Sequence, residues 1–176
     1  MPGTFKILLV SNAFYPEISP RSYRAKELAK EFSRQGHEVV VITKLRNADY
    51  SGFLKETPIV LKMWRGERLP SIRVPRQKLM SLINRGLKRA LMIAFEYPAI
   101  EDMFHVKNIL RKEKDYNLMI SFAVPYPVHW GVAWARNKKN NIASSWVADC
   151  GDPYMGDVLD SFRKPFYFSF FEKWFC

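Results

Sequence analysis

Continuous apolar runs and helical stripes of apolar residues alternate along the chain. The runs at residues 7–10 and 39–42 have the length and composition of strands covered on both faces. Between them, apolar residues 25–32 recur at the i, i+3, i+4, i+7 spacing of a core-facing helix. Ser19 is a suitable cap for that helix, and Gly36 is suited to its end. The pattern predicts a right-handed βαβ unit.

The same alternation continues to the end of the chain. It predicts a loop at 44–60, short strands at 59–64 and 71–75, helices at 77–95 and 100–114, a strand at 117–122, a helix at 128–137, a strand at 143–148 and a helix from 158 onward. This order is typical of an α/β fold. We expect a single Rossmann-like, doubly wound domain over residues 1–176, with a mainly parallel sheet and helices on both faces.

Positive charge is concentrated in one part of the chain. The sequence has 28 Lys and Arg, 17 Asp and Glu, and a net charge of +11. Nine of the cations lie between residues 61 and 90, where the single acid is Glu67. Arg85, Lys88 and Arg89 lie away from the apolar stripe of the helix predicted at 77–95, which is therefore basic and amphipathic. This fits an anionic membrane surface, at about 1 kcal/mol per cation. The alternative is a core-packing helix with a solvated cationic face.

Other classes of function are disfavoured by composition. Trp64 is the single aromatic residue in the basic stretch, so a stacking platform for nucleic acid is missing. Two cysteines and three scattered histidines lack the spacing of a disulfide framework or a metal site. Without a leader or an apolar run of membrane-spanning length, we expect a cytoplasmic protein. Seven aromatic residues at 166–175 suggest a fragment of a longer protein, or a segment that packs on something.

Chemistry is expected in the loops at the carboxyl ends of the strands, which are residues 12–24, 123–130 and 149–154. The first loop has no glycine, which argues against a dinucleotide fingerprint. It does place Ser19, Arg21 and Arg24 at a helix start, where backbone N–H groups and arginines favour an anion. The alternative is that both arginines are ordinary solvated residues of the first turn.

The other two loops offer candidates for proton transfer. Asp149 and Asp152 follow the last predicted strand, and a carboxylate there can orient or deprotonate an acceptor hydroxyl. Alternatively, Asp152 caps the next helix or pairs with an arginine. His129 stands near a helix start, where imidazole tends to stay neutral and can accept a proton. Its alternative is simple packing beside Trp130.

Three segments resemble a known family. They are KILLVSNAFYPEISPRSYRAKELAKEFSRQGHEVVVIT at 6–43, YNLMISFAVPYPVHW at 116–130 and WVADCGDPY at 146–154. In this order they resemble the N-terminal domain of family 4 glycosyltransferases of the GT-B fold. Two departures are the sequence Ile-Ser-Pro-Arg at 18–21, where the family usually has a glycine pair, and Gly151, where an arginine is common.

The resemblance implies a function and assigns residues to it. The chain would be the acceptor-side domain of an enzyme of polysaccharide or cell-envelope synthesis that moves sugar from a nucleotide sugar to a glycan or lipid-linked acceptor. It would act at the inner face of the membrane, without a metal or other cofactor, and alone it would be inactive because the C-terminal donor-binding domain is absent. The residues implied are Asp152 and His129 for catalysis, Ser19, Arg21 and Arg24 for donor phosphates, and Asp149, Tyr126 and Tyr154 for the acceptor. The competing hypothesis is a non-enzymatic α/β module that docks on anionic membrane or a protein partner.

Overall fold

A single parallel sheet organises the part of the chain that the computed structural model describes, namely residues 3–65, 78–123, 125–136 and 140–151, with 169, 170 and 173. Within these residues the sheet has five strands: β1 (Lys6–Ser11), β2 (Glu38–Lys44), β3 (Val60–Trp64), β4 (Tyr116–Phe122) and β5 (Ala143–Asp149). Their spatial order is β3-β2-β1-β4-β5, and every pair is parallel. The predicted α/β fold is confirmed.

Helices cover both faces of this sheet, as expected. They are α1 (Pro20–Arg34), α2 (Ser51–Glu56), α3 (Lys78–Phe95), α4 (Ile100–Leu110) and α5 (Pro127–Ala135). One core lies between the sheet and α1 and α2, and the other lies between the sheet and α4 and α5. The apolar runs of β1 and β2 contribute alternate side chains to the two cores, which explains why those strands are continuously apolar.

Helix α1 begins and ends where the sequence predicts. The Ser19 hydroxyl accepts a hydrogen bond from the backbone N–H of Ser22 at 3.2 Å, and Pro20 occupies the first turn. Gly36 has a φ of +84°, a conformation that favours glycine after a helix. The helix packs close to the sheet because Ala25 and Ala29 are small and fully buried.

Several predicted boundaries differ from the structure. The predicted loop at 44–60 contains α2, which starts after the Asp49 carboxylate accepts the Ser51 backbone N–H at 2.8 Å. Helices α4 and α5 end earlier than predicted, at Leu110 and Ala135. The strand predicted at 71–75, the helix predicted from 158 and most of the aromatic segment at 166–175 lie outside the described residues.

The predicted basic amphipathic helix is α3, and several of its apolar residues are exposed. The exposed fraction is 69% for Leu82, 56% for Ile83 and 50% for Leu87. The alternative of a core-packing helix is therefore wrong for this part of the stripe. No helix within the described residues has both the length and the apolar character needed to cross a bilayer.

Candidate functional site at the carboxyl edge of the sheet

The central strands of the sheet end at the same level. The register pairs Ser11 at the end of β1 with Phe122 at the end of β4, and Phe122 with Asp149 at the end of β5. The helices that follow β1 and β4 lie on opposite faces of the sheet, so a crevice opens where the connections diverge. In open α/β sheets, ligands bind in this crevice.

An ion pair between α1 and β5 lies at this edge. Arg24 Nη1 donates to Asp149 Oδ1 at 2.7 Å and to Oδ2 at 2.9 Å. The Asp149 side chain is 24% exposed and that of Arg24 49%, so both groups remain open to solvent. The pair brings together a predicted anion-binding residue and a predicted acceptor-binding residue. A ligand at this edge would meet a carboxylate and a guanidinium side by side.

Behind the ion pair, His129 is fully buried at the start of α5. Its Nδ1 lies 2.8 Å from the Ser121 hydroxyl, which also accepts the indole N–H of Trp146 at 2.8 Å. Because the indole N–H can only donate, the Ser121 hydrogen is available to Nδ1. This arrangement is compatible with an imidazole proton on Nε2. Nε2 has no hydrogen-bond partner among the described residues.

The electrostatic environment keeps His129 uncharged. Burial lowers its pKa to about 4, and the backbone and charge of Asp149 oppose this lowering only in part. His129 is therefore neutral at pH 7, and the cause is burial, whereas the sequence-based prediction rested on the helix N-terminus. Its ring, however, lies in the core and makes an edge-to-face contact with Tyr126, at 6.1 Å between ring centroids. In this arrangement His129 supports the end of β4 and is shielded from solvent.

A second polar group at the carboxyl edge was missed by the sequence analysis. Asp102, fully buried on α4, accepts hydrogen bonds from Asn12 Nδ2 at 2.6 Å and from the Trp64 indole at 3.2 Å. The Lys44 ammonium lies 3.3 Å from the same carboxylate. Asn12, Lys44 and Trp64 stand at or just past the ends of β1, β2 and β3. Asn12 and Lys44 are polar residues that come just after buried apolar runs, and this position in the sequence was a signal that could have identified them.

This cluster extends into the loop between β1 and α1. Arg46 Nη2 donates to Asn12 Oδ1 at 3.0 Å and lies 3.1 Å from Glu17 Oε2. Together with the Lys44–Asp102 pair, the cluster contains two ion pairs, each of one cation and one carboxylate. Only the Lys44–Asp102 pair is buried, and buried charges are tolerated when they are paired, whereas the side chains of Arg46 and Glu17 are 44% and 31% exposed. The cluster therefore fixes the loop that forms one wall of the crevice.

The remaining predicted residues lie in different places. The Ser19 hydroxyl is used as the cap of α1, Arg21 is half-buried in its first turn, and Tyr126 is buried before α5. Arg85, Lys88 and Arg89 are exposed on α3, away from the crevice-forming loops in sequence. Asp152 and Tyr154 lie outside the described residues.

Two further features concern ligands. The described residues contain no group of three or more His, Cys, Asp or Glu side chains arranged to hold a metal ion. An open cavity of about 380 Å³ lies between the end of α1 and the segment before β3, lined by residues such as Ser33, Arg34 and Thr57. Since α1 runs back across the sheet, this cavity lies at the amino edge, opposite the crevice.

Comparisons with known proteins give no family assignment. No family model matches the sequence, and no curated protein matches it. Among solved structures, the chain is similar to the C-terminal domain of a hydrogenase from Pyrococcus furiosus, with 15% identity and a TM-score of 0.39. The match covers 83% of this chain and 92% of that one.

Proposed function

We propose that this chain is the acceptor-side domain of a glycosyltransferase that uses a nucleotide sugar and a glycan or lipid-linked acceptor. The observation that carries the proposal is the Arg24–Asp149 pair, because it offers complementary polar groups at the edge where α/β sheets bind ligands. The three sequence segments that resemble family 4 glycosyltransferases supply the class of reaction. We infer a cytoplasmic enzyme of polysaccharide or envelope synthesis, peripheral on the membrane.

Each residue then has a specific role. The Asp149 carboxylate accepts a hydrogen bond from a sugar hydroxyl, and Arg24 turns its guanidinium toward donor phosphate when the acceptor engages Asp149. Arg21 adds positive charge beside the N-terminus of α1, where helix N–H groups favour anions. Asp152 is the candidate base for the acceptor hydroxyl.

For His129 we propose a positioning role, since its ring is fully buried. It holds Ser121 and, through Ser121, Trp146 at the carboxyl ends of β4 and β5. A neutral imidazole beside Asp149 also leaves that carboxylate without a competing cation from the core. Arg24 thus remains the cation that pairs with Asp149.

Following the resemblance to family 4 glycosyltransferases, we assign nucleotide-sugar binding mainly to a second domain of that architecture. Transfer needs the two domains to close over the acceptor, because the reacting groups must be aligned with water excluded. The 176-residue chain by itself should therefore bind an acceptor without turning over a donor.

The proposed separation of acceptor binding from donor turnover is tested with defined probes. Saturation-transfer NMR measures binding of glucose- and mannose-based disaccharides, and product analysis measures turnover of UDP-glucose and GDP-mannose. We expect disaccharide binding without turnover, and about tenfold or greater weakening in Asp149→Asn, because a hydrogen bond to a charged group is lost. Glu56→Gln is the matched control, since this exposed carboxylate lies at the opposite edge of the sheet.

Three results would contradict the proposal. Transfer or hydrolysis of either nucleotide sugar by this chain alone is incompatible with a separate donor-binding domain. Disaccharide binding that is equal in Asp149→Asn and Glu56→Gln removes the carboxyl edge as the acceptor site. The absence of any sugar binding favours the competing hypothesis of a non-enzymatic module.

A further inference from the structure

Helix α3 presents a large apolar surface to solvent. Met80, Leu82, Ile83 and Leu87 are each about half exposed or more, and we call these four side chains the α3 apolar face. At 3.6 residues per turn they lie on one half of the helix. Exposed apolar side chains grouped on one half of a helix are a mark of an interaction site.

The opposite half of α3 carries the positive charge, together with the exposed apolar side chains of Met92 and Phe95. Arg85, Lys88 and Arg89 project from that half and are exposed, and residues 78–95 contain no Asp or Glu. A helix with a strongly apolar face, a cationic face and low overall hydrophobicity lies in the plane of a bilayer interface. Its apolar side chains enter the boundary between headgroups and acyl chains, while the cations remain among the headgroups.

Charge distinguishes the candidate occupants of this face. A second copy of the chain would bring two acid-free cationic helices together, and like charges at close range repel. An anionic lipid surface instead neutralises the cations while it covers the leucines. The net charge of +11 adds attraction to such a surface at longer range.

We propose that α3 docks the protein on anionic phospholipid bilayers by inserting the α3 apolar face, with Arg85, Lys88 and Arg89 on the headgroups. The docking does not depend on sugar transfer and is measured without it. The helix is about 27 Å long, so it covers several lipids in the plane of the membrane.

The experiment is sedimentation of the full 176-residue chain with lipid vesicles. We expect partition onto vesicles of phosphatidylcholine and phosphatidylglycerol, weaker partition onto phosphatidylcholine alone, and release at high salt. Leu82→Gln combined with Leu87→Gln should weaken partition about a hundredfold, because two apolar side chains no longer enter the lipid. Ile18→Gln, on an exposed apolar side chain of a loop, should leave partition unchanged.

The cations are tested separately. Arg85→Gln combined with Lys88→Gln should weaken partition onto the anionic vesicles about 25-fold and leave partition onto phosphatidylcholine nearly unchanged. Arg111→Gln combined with Lys112→Gln is the matched control at an exposed site outside α3. This pair keeps the test valid if the leucine variant fails to fold, which circular dichroism reports.

Three outcomes would overturn the docking. The first is no partition onto anionic vesicles, and the second is partition that neither double variant weakens. The third is self-association that depends on Leu82 and Leu87 in the ultracentrifuge while vesicles remain unbound, which assigns the face to a second copy.

Discussion

Helices α1 and α3 have similar patterns in the sequence and opposite environments in the structure. In α1 the apolar positions Ala25 and Ala29 are fully buried against the sheet. In α3 the corresponding stripe, including Leu82 and Leu87, is largely in solvent. Both segments form helices, so the periodicity of apolar residues predicts the element and leaves open what covers its apolar face.

The difference is explained by the neighbours of each helix. Helix α1 connects adjacent strands β1 and β2, so its short connections bring it onto the sheet, where small alanines permit close packing. Helix α3 precedes α4, and it is α4 that packs on the opposite face of the sheet beside α5. Because α4 and α5 already cover that face of the sheet, Leu82 and Leu87 of α3 do not pack against it.

The largest contrast is expected from matched leucine truncations. Leu9→Ala in β1 should lower the free energy of unfolding by about 2–5 kcal/mol, because Leu9 is fully buried and a cavity remains. Leu82→Ala in α3 should change it by no more than about 0.5 kcal/mol. Urea unfolding followed by circular dichroism measures both. Similar losses for the two variants would mean that α3 is covered in solution.

Acid should destabilise the folded protein through His129, which is buried in the core. The pKa of His129 is about 4 in the folded protein, below its ordinary value of 6.5. The unfolded chain therefore binds more protons between these values, so stability falls as the pH falls, by roughly 3 kcal/mol when pH 4 is reached. Urea unfolding at about pH 7 and about pH 4.5 measures most of this loss.

A substitution assigns that loss to one residue. His129→Asn lacks the titrating group, so its free energy of unfolding should depend less steeply on pH in the same range. His105→Asn, on α4, is the control and should keep the steep dependence of the unaltered chain. An equal slope in all three proteins would show that other groups cause the acid sensitivity.

Replacing glycine with alanine should change stability in opposite directions in the core and on α3. A Cβ at Gly131 in α5 would lie 2.6 Å from the Met103 carbonyl oxygen and 2.8 Å from Val106 Cβ, so Gly131→Ala should cost about 1–3 kcal/mol. Gly86 in α3 has no atom within 4 Å of such a Cβ, so Gly86→Ala should stabilise by about 0.5–1 kcal/mol. Thermal unfolding gives both signs. A destabilising Gly86→Ala would place a packing partner against α3.

The smallest effect is expected at the Arg24–Asp149 pair. Because both side chains are partly exposed, a double-mutant cycle with Arg24→Gln and Asp149→Asn should give a coupling energy of about 0.2–1 kcal/mol. A small value leaves the pair free to exchange its contacts for those of a ligand. A coupling well above this range would instead identify a structural ion pair and weaken the case for a binding site.

Much of the fold and part of the site were predictable. The strands, the cap at Ser19 and the helix at 78–95 follow from patterns within a few residues. Arg24 and Asp149 were both candidates, but their contact joins residues 125 positions apart and has no local signal. Asp102 was missed for the same reason, since Asn12 lies 90 positions away from it in the sequence. An acid on a helix otherwise suggests only a solvated residue.

The sequence by itself determined the five strands and the helices α1, α3, α4 and α5, because local spacing and capping decide these elements, whereas α2 lies in a predicted loop. Tertiary structure decided which charges meet at the carboxyl edge, that His129 is buried and neutral, and that the leucines of α3 face solvent. These features depend on which distant segments lie side by side, and burial and charge pairing are properties of that arrangement. The same amphipathic pattern thus becomes a core contact in α1 and an exposed surface in α3.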